Sequence, residues 1–253
     1  MIFDSHAHYD DEAFQNNREQ VIRELKENGV IGVINCGASV QGSRDSVELA
    51  SKYDFFYAAV GIHPEYANEV NKEILKELKE LSKYEKVKAI GEIGLDYYGD
   101  ENPEREIQKQ AFRKQMELAA KLNMPVIIHD RDAHGDTLEI IKEYPNVKGV
   151  IHCFSGSIEF ARECLKLGYY IGFTGVVTFK NAKKVVQVAK EVPLDRLLVE
   201  TDCPYMAPVP NRGKCNRSDY IKYILEKISK IRDIPLKTLE EATIKNTKKL
   251  FHI

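Results

Sequence analysis

No two cysteines in this chain stand in a Cys-x-x-Cys spacing, and the five present (Cys36, Cys153, Cys164, Cys203 and Cys215) are odd in number. That excludes a disulfide framework and predicts free thiols in a reducing compartment, most of them packed in the core. No apolar run reaches the roughly 18 residues needed to cross a bilayer. No charged-then-apolar leader precedes the opening Met1-Ile2-Phe3, so a cytoplasmic protein without a membrane partner is expected. Neither Gly-x-Gly-x-x-Gly nor a Gly-Lys-Ser/Thr loop occurs, which argues against a nucleotide cofactor. Excess positive charge is also missing. At a net charge of −2 the chain does not blanket a duplex, so any nucleic acid must meet it at a local site or a strand end. No linker, low-complexity tract or charge block divides residues 1–253, which read as one domain.

What is present is a repeating pattern. Eight short apolar runs alternate with stretches of helical periodicity. The runs are Ile2 to the first histidines, Val30–Asn35, Phe55–Val60, Val87–Ile93, Pro125–His129, Val147–Cys153, Tyr169–Phe173 and Leu197–Asp202. Between them, Arg18–Asn28, Ser43–Lys52, Asn71–Lys83, Pro103–Leu122, Thr137–Glu143, Ile158–Leu167 and Asn181–Glu191 read as helices, followed by two more near Tyr220–Ile231 and Leu236–Leu250. Strands alternating with helices imply a parallel sheet. Eight units in a chain of roughly 250 residues imply an α/β fold closed as a (β/α)8 TIM barrel, with an extra C-terminal helix.

In such a barrel, chemistry gathers at the C-terminal ends of the strands. His6 and His8 end the first strand and, two apart, share a face. His63 ends the third strand, Glu92 the fourth, His129 the fifth, His152 the sixth and Asp202 the eighth. Taken singly, each has a plain structural reading: a hydrogen-bonded histidine, a helix cap, a turn. Their recurrence at one strand end after another points instead to metal binding. Four histidines, Glu92 and Asp202 exceed what one tetrahedral ion needs. They suit two ions about 3.5–4 Å apart with a carboxylate between them. Glu92 lies midway around the ring and is the expected bridge, with His6, His8 and Asp202 on one ion and His129 and His152 on the other. Imidazole-rich ligation favours zinc, manganese, nickel or iron over magnesium. Cys153 and Cys203 adjoin these residues but are expected to face away and pack under helices.

The segments Asp4-Ser5-His6-Ala7-His8, Gly61-Ile62-His63-Pro64, Gly91-Glu92-Ile93-Gly94-Leu95-Asp96-Tyr97, His152-Cys153-Phe154-Ser155-Gly156 and Glu200-Thr201-Asp202 resemble, in order, the signatures of the TatD family of metal-dependent deoxyribonucleases. The resemblance runs from Asp4 to about Asn216. It implies a TIM barrel, a cytoplasmic enzyme, two divalent metals, and hydrolysis of DNA phosphodiesters, often from 3′ ends. It also implies magnesium, against the preference of the ligand set, so the working ion stays open between them. The loop Pro210–Arg217 keeps the family's Arg-Gly-Lys-x-Asn pattern, which makes Arg212 and Asn216 expected substrate contacts. Arg217 and Ser218 replace an acidic residue and a proline, and His134 has no counterpart role.

On this reading Asp202 orients the attacking water or takes its proton. His63 and Arg131 contact the scissile or terminal phosphate. Glu200 supports a ligating histidine or forms a buried ion pair. The expected partner is a DNA end or single-stranded DNA, met by a monomer. Two other readings share the same residues. One is a metal-dependent ester or amide hydrolase, such as a D-aminoacyl-tRNA deacylase; the other is a metal-binding interaction protein without catalysis.

Overall fold

The computed structural model describes all 253 residues. Eight parallel strands run in the order β1 to β8: β1 (Ile2–Ala7), β2 (Val30–Cys36), β3 (Phe56–Val60), β4 (Val87–Asp96), β5 (Val126–Arg131), β6 (Gly149–Ile151), β7 (Tyr170–Phe173) and β8 (Leu197–Val199). Helices α1 (Arg18–Glu27), α2 (Val40–Lys52), α3 (Lys72–Leu81), α4 (Arg105–Leu122), α5 (His134–Glu143), α6 (Ile158–Lys166), α7 (Lys183–Glu191) and α8 (Ile221–Arg232) follow the strands one by one. The extra helix, α9 (Leu236–Phe251), completes the chain. The (β/α)8 barrel is therefore as the alternation predicts. No helix is long and apolar enough to cross a membrane.

Strand alternation divides the core in two. Phe3, Ile34, Ala59, Ala89, Ile127, Val150, Tyr170 and Leu198, contributed by all eight strands, point into the barrel and are joined there by Leu250 and Phe251 of α9. The extra helix thus plugs the floor. Asn246 fastens it by donating to the carbonyls of Leu194 and Leu197 at 2.8 and 2.9 Å. Residues of opposite phase, such as Ile2, Val33, Ile90, Ile128, Ile151 and Val199, pack outward beneath the helices.

Besides register shifts near the starts of β2 and β4, two strands break this phase on the way to the mouth. Between Asp4↔Val33 and Ala7↔Asn35, β1 carries one residue more than β2. Between Ile90↔Val126 and Ile93↔Ile128, β4 carries one more than β5. Such a bulge flips every later side chain to the other face. Phe3 and Ala89 face inward, so regular strands would turn His6, His8 and Glu92 outward. The bulges turn them in. Gly94 within β4 has φ +143°, and a Cβ there would meet the His129 carbonyl oxygen at 2.0 Å. Glu92 consequently does not end the fourth strand as expected: it lies inside β4, which continues to Asp96.

Past β8, which stops at Val199 rather than at Asp202, extended chain closes the barrel. Asp202 N–H donates to His6 O (3.0 Å) and His8 N–H donates to Cys203 O (2.9 Å). The buried Asp4 carboxylate accepts from the Thr201 amide (3.0 Å), the Thr201 hydroxyl (2.6 Å) and the Ser218 hydroxyl (2.7 Å). Burial pushes its pKa up to about 7 against these bonds. The seam of the barrel therefore lies directly beneath the histidine pair.

Candidate metal centre

Six side chains meet inside the C-terminal mouth. His6 Nε2 lies 2.9 Å from His8 Nε2 and 3.3 Å from Glu92 Oε2. Asp202 Oδ1 stands 3.6 and 3.4 Å from the same two nitrogens. On the other side, Glu92 Oε1 lies 2.8 Å from His129 Nδ1 and 2.7 Å from His152 Nε2. The His6 and His152 rings stack at 4.0 Å and bring the two sides together. Burial pushes the Glu92 carboxyl up, but His152, His6 and His63 around it hold it well below the usual carboxylate range.

Hydrogen bonds at the far side of His8 and His129 decide which nitrogen of each ring faces the site. His8 Nδ1 faces the Cys36 carbonyl at 2.8 Å, and a carbonyl only accepts, so Nδ1 carries a proton and Nε2 is the nitrogen turned to the site. His129 Nε2 donates to Asp96 Oδ2 at 3.0 Å, which turns Nδ1 toward Glu92. His152 Nδ1 lies 3.6 Å from Glu200 Oε1, with Nε2 toward the site. Glu200 is held by donation from Ser5 Oγ (3.1 Å) and the Cys153 amide (2.5 Å). Gly172 makes room for it, since a Cβ there would sit 2.6 Å from the carboxylate. One nitrogen of each of these imidazoles is thus turned toward the two oxygens of one carboxylate, where a cation would take the place of the shared protons. That donor set fits divalent cations on either side of Glu92. His6/His8/Glu92, His6/His152/Asp202 and His63/Glu92/His129 each bring donor atoms within 4.8 Å of one another.

His63 differs from the other histidines. Its Nδ1 accepts from the Glu65 amide at 3.3 Å, capping the short 3-10 turn Pro64–Glu69, so its Nε2–H points at Glu92 Oε1 3.8 Å away. Burial, then the neighbouring His129, push its pKa down to about 3 and keep it neutral. It offers the site a hydrogen-bond donor.

At the rim, Arg131 is exposed and stacks over Tyr98 at 3.9 Å, and Arg212 is exposed and stacks over Phe179 at 4.3 Å. Asn216 corrects the expectation that it touches substrate. It is fully buried, its amide donates to Thr201 O (2.9 Å) and Tyr205 O (2.7 Å), and its oxygen accepts from the Arg217 amide. It braces the loop from within. Arg217 pairs with Asp219 and Glu24 at 2.7 and 2.8 Å, and Ser218 bonds Asp4 and Tyr9, so the departures from the family pattern still anchor this loop. His134 sits 2.5 Å from Asp130 and stacks on Phe160, away from the centre. Cys203 packs in the core as expected, whereas Cys153 faces Thr174 at 3.5 Å beside the mouth.

Asp96, which the spacing alone gives no assigned role, lies four residues past Glu92 on the same strand, shares its face and so reaches His129 at the mouth.

The model of the TatD-related DNase family matches residues 3–252. An uncharacterized metal-dependent hydrolase, YabD of Bacillus subtilis, is 46% identical over 255 residues, covering all of both chains. A Pectobacterium carotovorum protein named 3′-5′ ssDNA/RNA exonuclease TatD is 32% identical over 260 residues, again covering both chains fully. The crystal structure of YjjV, a TatD homolog from Escherichia coli K12, superposes with a TM-score of 0.94 at 31% identity, covering 100% of this chain and 98% of that one. With this match along nearly its whole length, on a barrel whose mouth gathers histidines around one carboxylate, the chain belongs to the TatD-related DNase family of metal-dependent hydrolases.

Proposed function

We propose that this chain hydrolyses phosphodiester bonds of single-stranded DNA, releasing nucleotides from 3′ ends, with two divalent cations: His6, His8 and Asp202 hold one, His129 and His152 the other, and Glu92 lies between. The observation that carries this reading is the split of Glu92, with Oε2 turned to the first pair of imidazoles and Oε1 to the second. The Pectobacterium relative named as an exonuclease supports the choice of substrate.

When bound, the cations lower the pKa of a water and polarise the phosphoryl oxygen. Asp202 accepts the proton of the attacking water. Its side chain is 14% exposed against 4% for Glu92, so it is the carboxylate with an approach to the mouth. His63 donates Nε2–H to a non-bridging phosphate oxygen. Arg131 and Arg212 offer planar forks to flanking phosphates. Asp96 and Glu200 orient His129 and His152.

The test is a metal-supplemented assay of end-labelled single-stranded DNA beside a panel of carboxylic esters and aminoacyl-tRNA, with elemental analysis of the same samples. Mononucleotides should appear with the highest catalytic efficiency, and close to two ions per chain should be found. His129→Ala should lose chiefly one ion. Far better cleavage of an aminoacyl-tRNA or a small ester replaces the phosphodiester reading with carbonyl hydrolysis. Fewer than one ion per chain after reconstitution removes the paired site.

A further inference from the structure

The mouth is electrically lopsided. The segments after β1, β3 and β4 (residues 8–17, 61–71 and 97–104) hold carboxylates and no lysine or arginine, the next cations being Arg18, Lys72 and Arg105, which open α1, α3 and α4. The segments after β7 and β8 are the reverse. Residues 174–190 hold Lys180, Lys183 and Lys184 near the rim, residues 203–216 hold Arg212 and Lys214, and neither stretch has a carboxylate. These five cations are exposed and none is within 4.0 Å of a carboxylate.

The two basic segments form one surface. Arg212 lies over Phe179 at 4.3 Å, and the Val209 amide donates to Thr178 Oγ1 at 2.9 Å. Lys183 and Lys184 also open α7, whose cap Ala182 offers no side-chain hydrogen bond and whose first turn has no acid. Cations at the positive end of a helix are unfavourable in the free protein. Helices α1, α3, α4, α5 and α6 place an acidic residue there instead.

We propose that the rim after β7 and β8 is a track for the phosphate backbone of single-stranded DNA, extending recognition several nucleotides beyond the bond being cut. This rests on the nuclease reading above. Unpaired cations across the mouth from the acidic segments after β3 and β4 attract a polyanion to one side and repel it from the other, while the segment after β1 lies beside β8 and bounds the basic surface there. The Arg212 guanidinium, lying flat on Phe179, presents a plane on which a base stacks. A substrate with one phosphate gains little from such a surface, whereas a strand gains with each phosphate it lays down.

The test compares wild type with the Lys180→Gln/Lys183→Gln/Lys184→Gln triple variant and with Lys190→Gln, at the opposite end of α7, as control. Each metal-loaded protein is assayed on a DNA dinucleotide and a single-stranded 20-mer over a salt series. Anisotropy with a phosphorothioate 20-mer measures binding apart from cleavage. Wild type should show a KM at least tenfold lower for the 20-mer than for the dinucleotide. The triple variant should lose that length dependence, and its salt slope should fall by about 2, at roughly 0.7 per contact on a single strand. Its Tm should not drop, because removing cations from the start of α7 relieves repulsion. Lys190→Gln should match wild type. An unchanged KM ratio and slope in the triple variant overturn the track while leaving the nuclease reading intact. A wild type that binds the phosphorothioate strand but cuts no DNA overturns the nuclease reading while the variant's weaker binding upholds the surface. A wild type that does not bind the strand overturns the track.

Discussion

The two halves of the proposed metal centre are built by different means. His6 and His8 come from a bulged strand, and the ring support is neutral: His8 leans on the Cys36 carbonyl, and the buried Nδ1 of His6 has no partner. His129 on β5 and His152 just past β6 follow regular alternation; His129 hydrogen-bonds Asp96 at 3.0 Å, and His152 has Glu200 behind it at 3.6 Å, a charge nearby and not a hydrogen bond. A carboxylate behind an imidazole raises its basicity and fixes its orientation more firmly than a carbonyl does. Burial opposes protonation of His129, but Asp96 and Glu92 together push its pKa up to about 9. The first half makes up the difference with Asp202, an anionic group in direct reach of its two imidazoles. One half carries its charge at the cation, the other behind the ligand.

Glu92 is common to both halves, so changing it should abolish the comparison. Glu92→Gln should lose both ions together and cut turnover by roughly 10³-fold or more, since several kcal/mol of charge stabilisation go with them. Elemental analysis beside turnover on single-stranded DNA checks this, and retention of one full ion would show that the halves are independent.

Asp202→Asn tests the first half alone. Saturated with metal, it should fold normally, keep both ions, and lose at least about a hundredfold in turnover, because an amide cannot take a proton. Near wild-type turnover would move the proton acceptor elsewhere, with Glu92 the next candidate, since His63 presents an N–H to the site.

Asp96→Asn sharpens the contrast from the other side. It should weaken one ion by roughly 10- to 100-fold and leave the other untouched, read by metal titration of the purified protein. Equal weakening of both would mean that the support behind His129 is shared across Glu92.

The smallest effect belongs to the rim. Arg212→Ala should raise KM for DNA by about tenfold, the scale of a lost charge-assisted phosphate contact, with little change in kcat. A fall in kcat at unchanged KM would place Arg212 at the reacting phosphate.

Much of this was legible beforehand. The eightfold alternation of apolar runs and helical periodicity is a local property, and it is enough for the barrel. His129, His152 and Asp202 are equally readable, because alternation from Ile127, Val150 and Leu198 carries each of them into the interior. His6, His8 and Glu92 stand in recognisable segments, but strand phase counted from Phe3 or Ala89 would have turned them outward; an extra residue in β1 and another in β4 reverse that. Asn216 shows the opposite failure. A polar residue in a mouth loop reads as a substrate contact, and only its burial against the Thr201 and Tyr205 carbonyls reveals a brace.

By itself the chain's order of residues determined the fold class, the ring of candidate ligands and the family, since each depends on spacing along one strand or on short contiguous segments. Tertiary structure alone decided which imidazole nitrogen faces the site, which oxygen of Glu92 meets which pair of histidines and which segments share one rim. The partner that sets a tautomer stands far along the chain, 28 residues away for His8 and 33 for His129, and only the closed barrel brings it within hydrogen-bond distance.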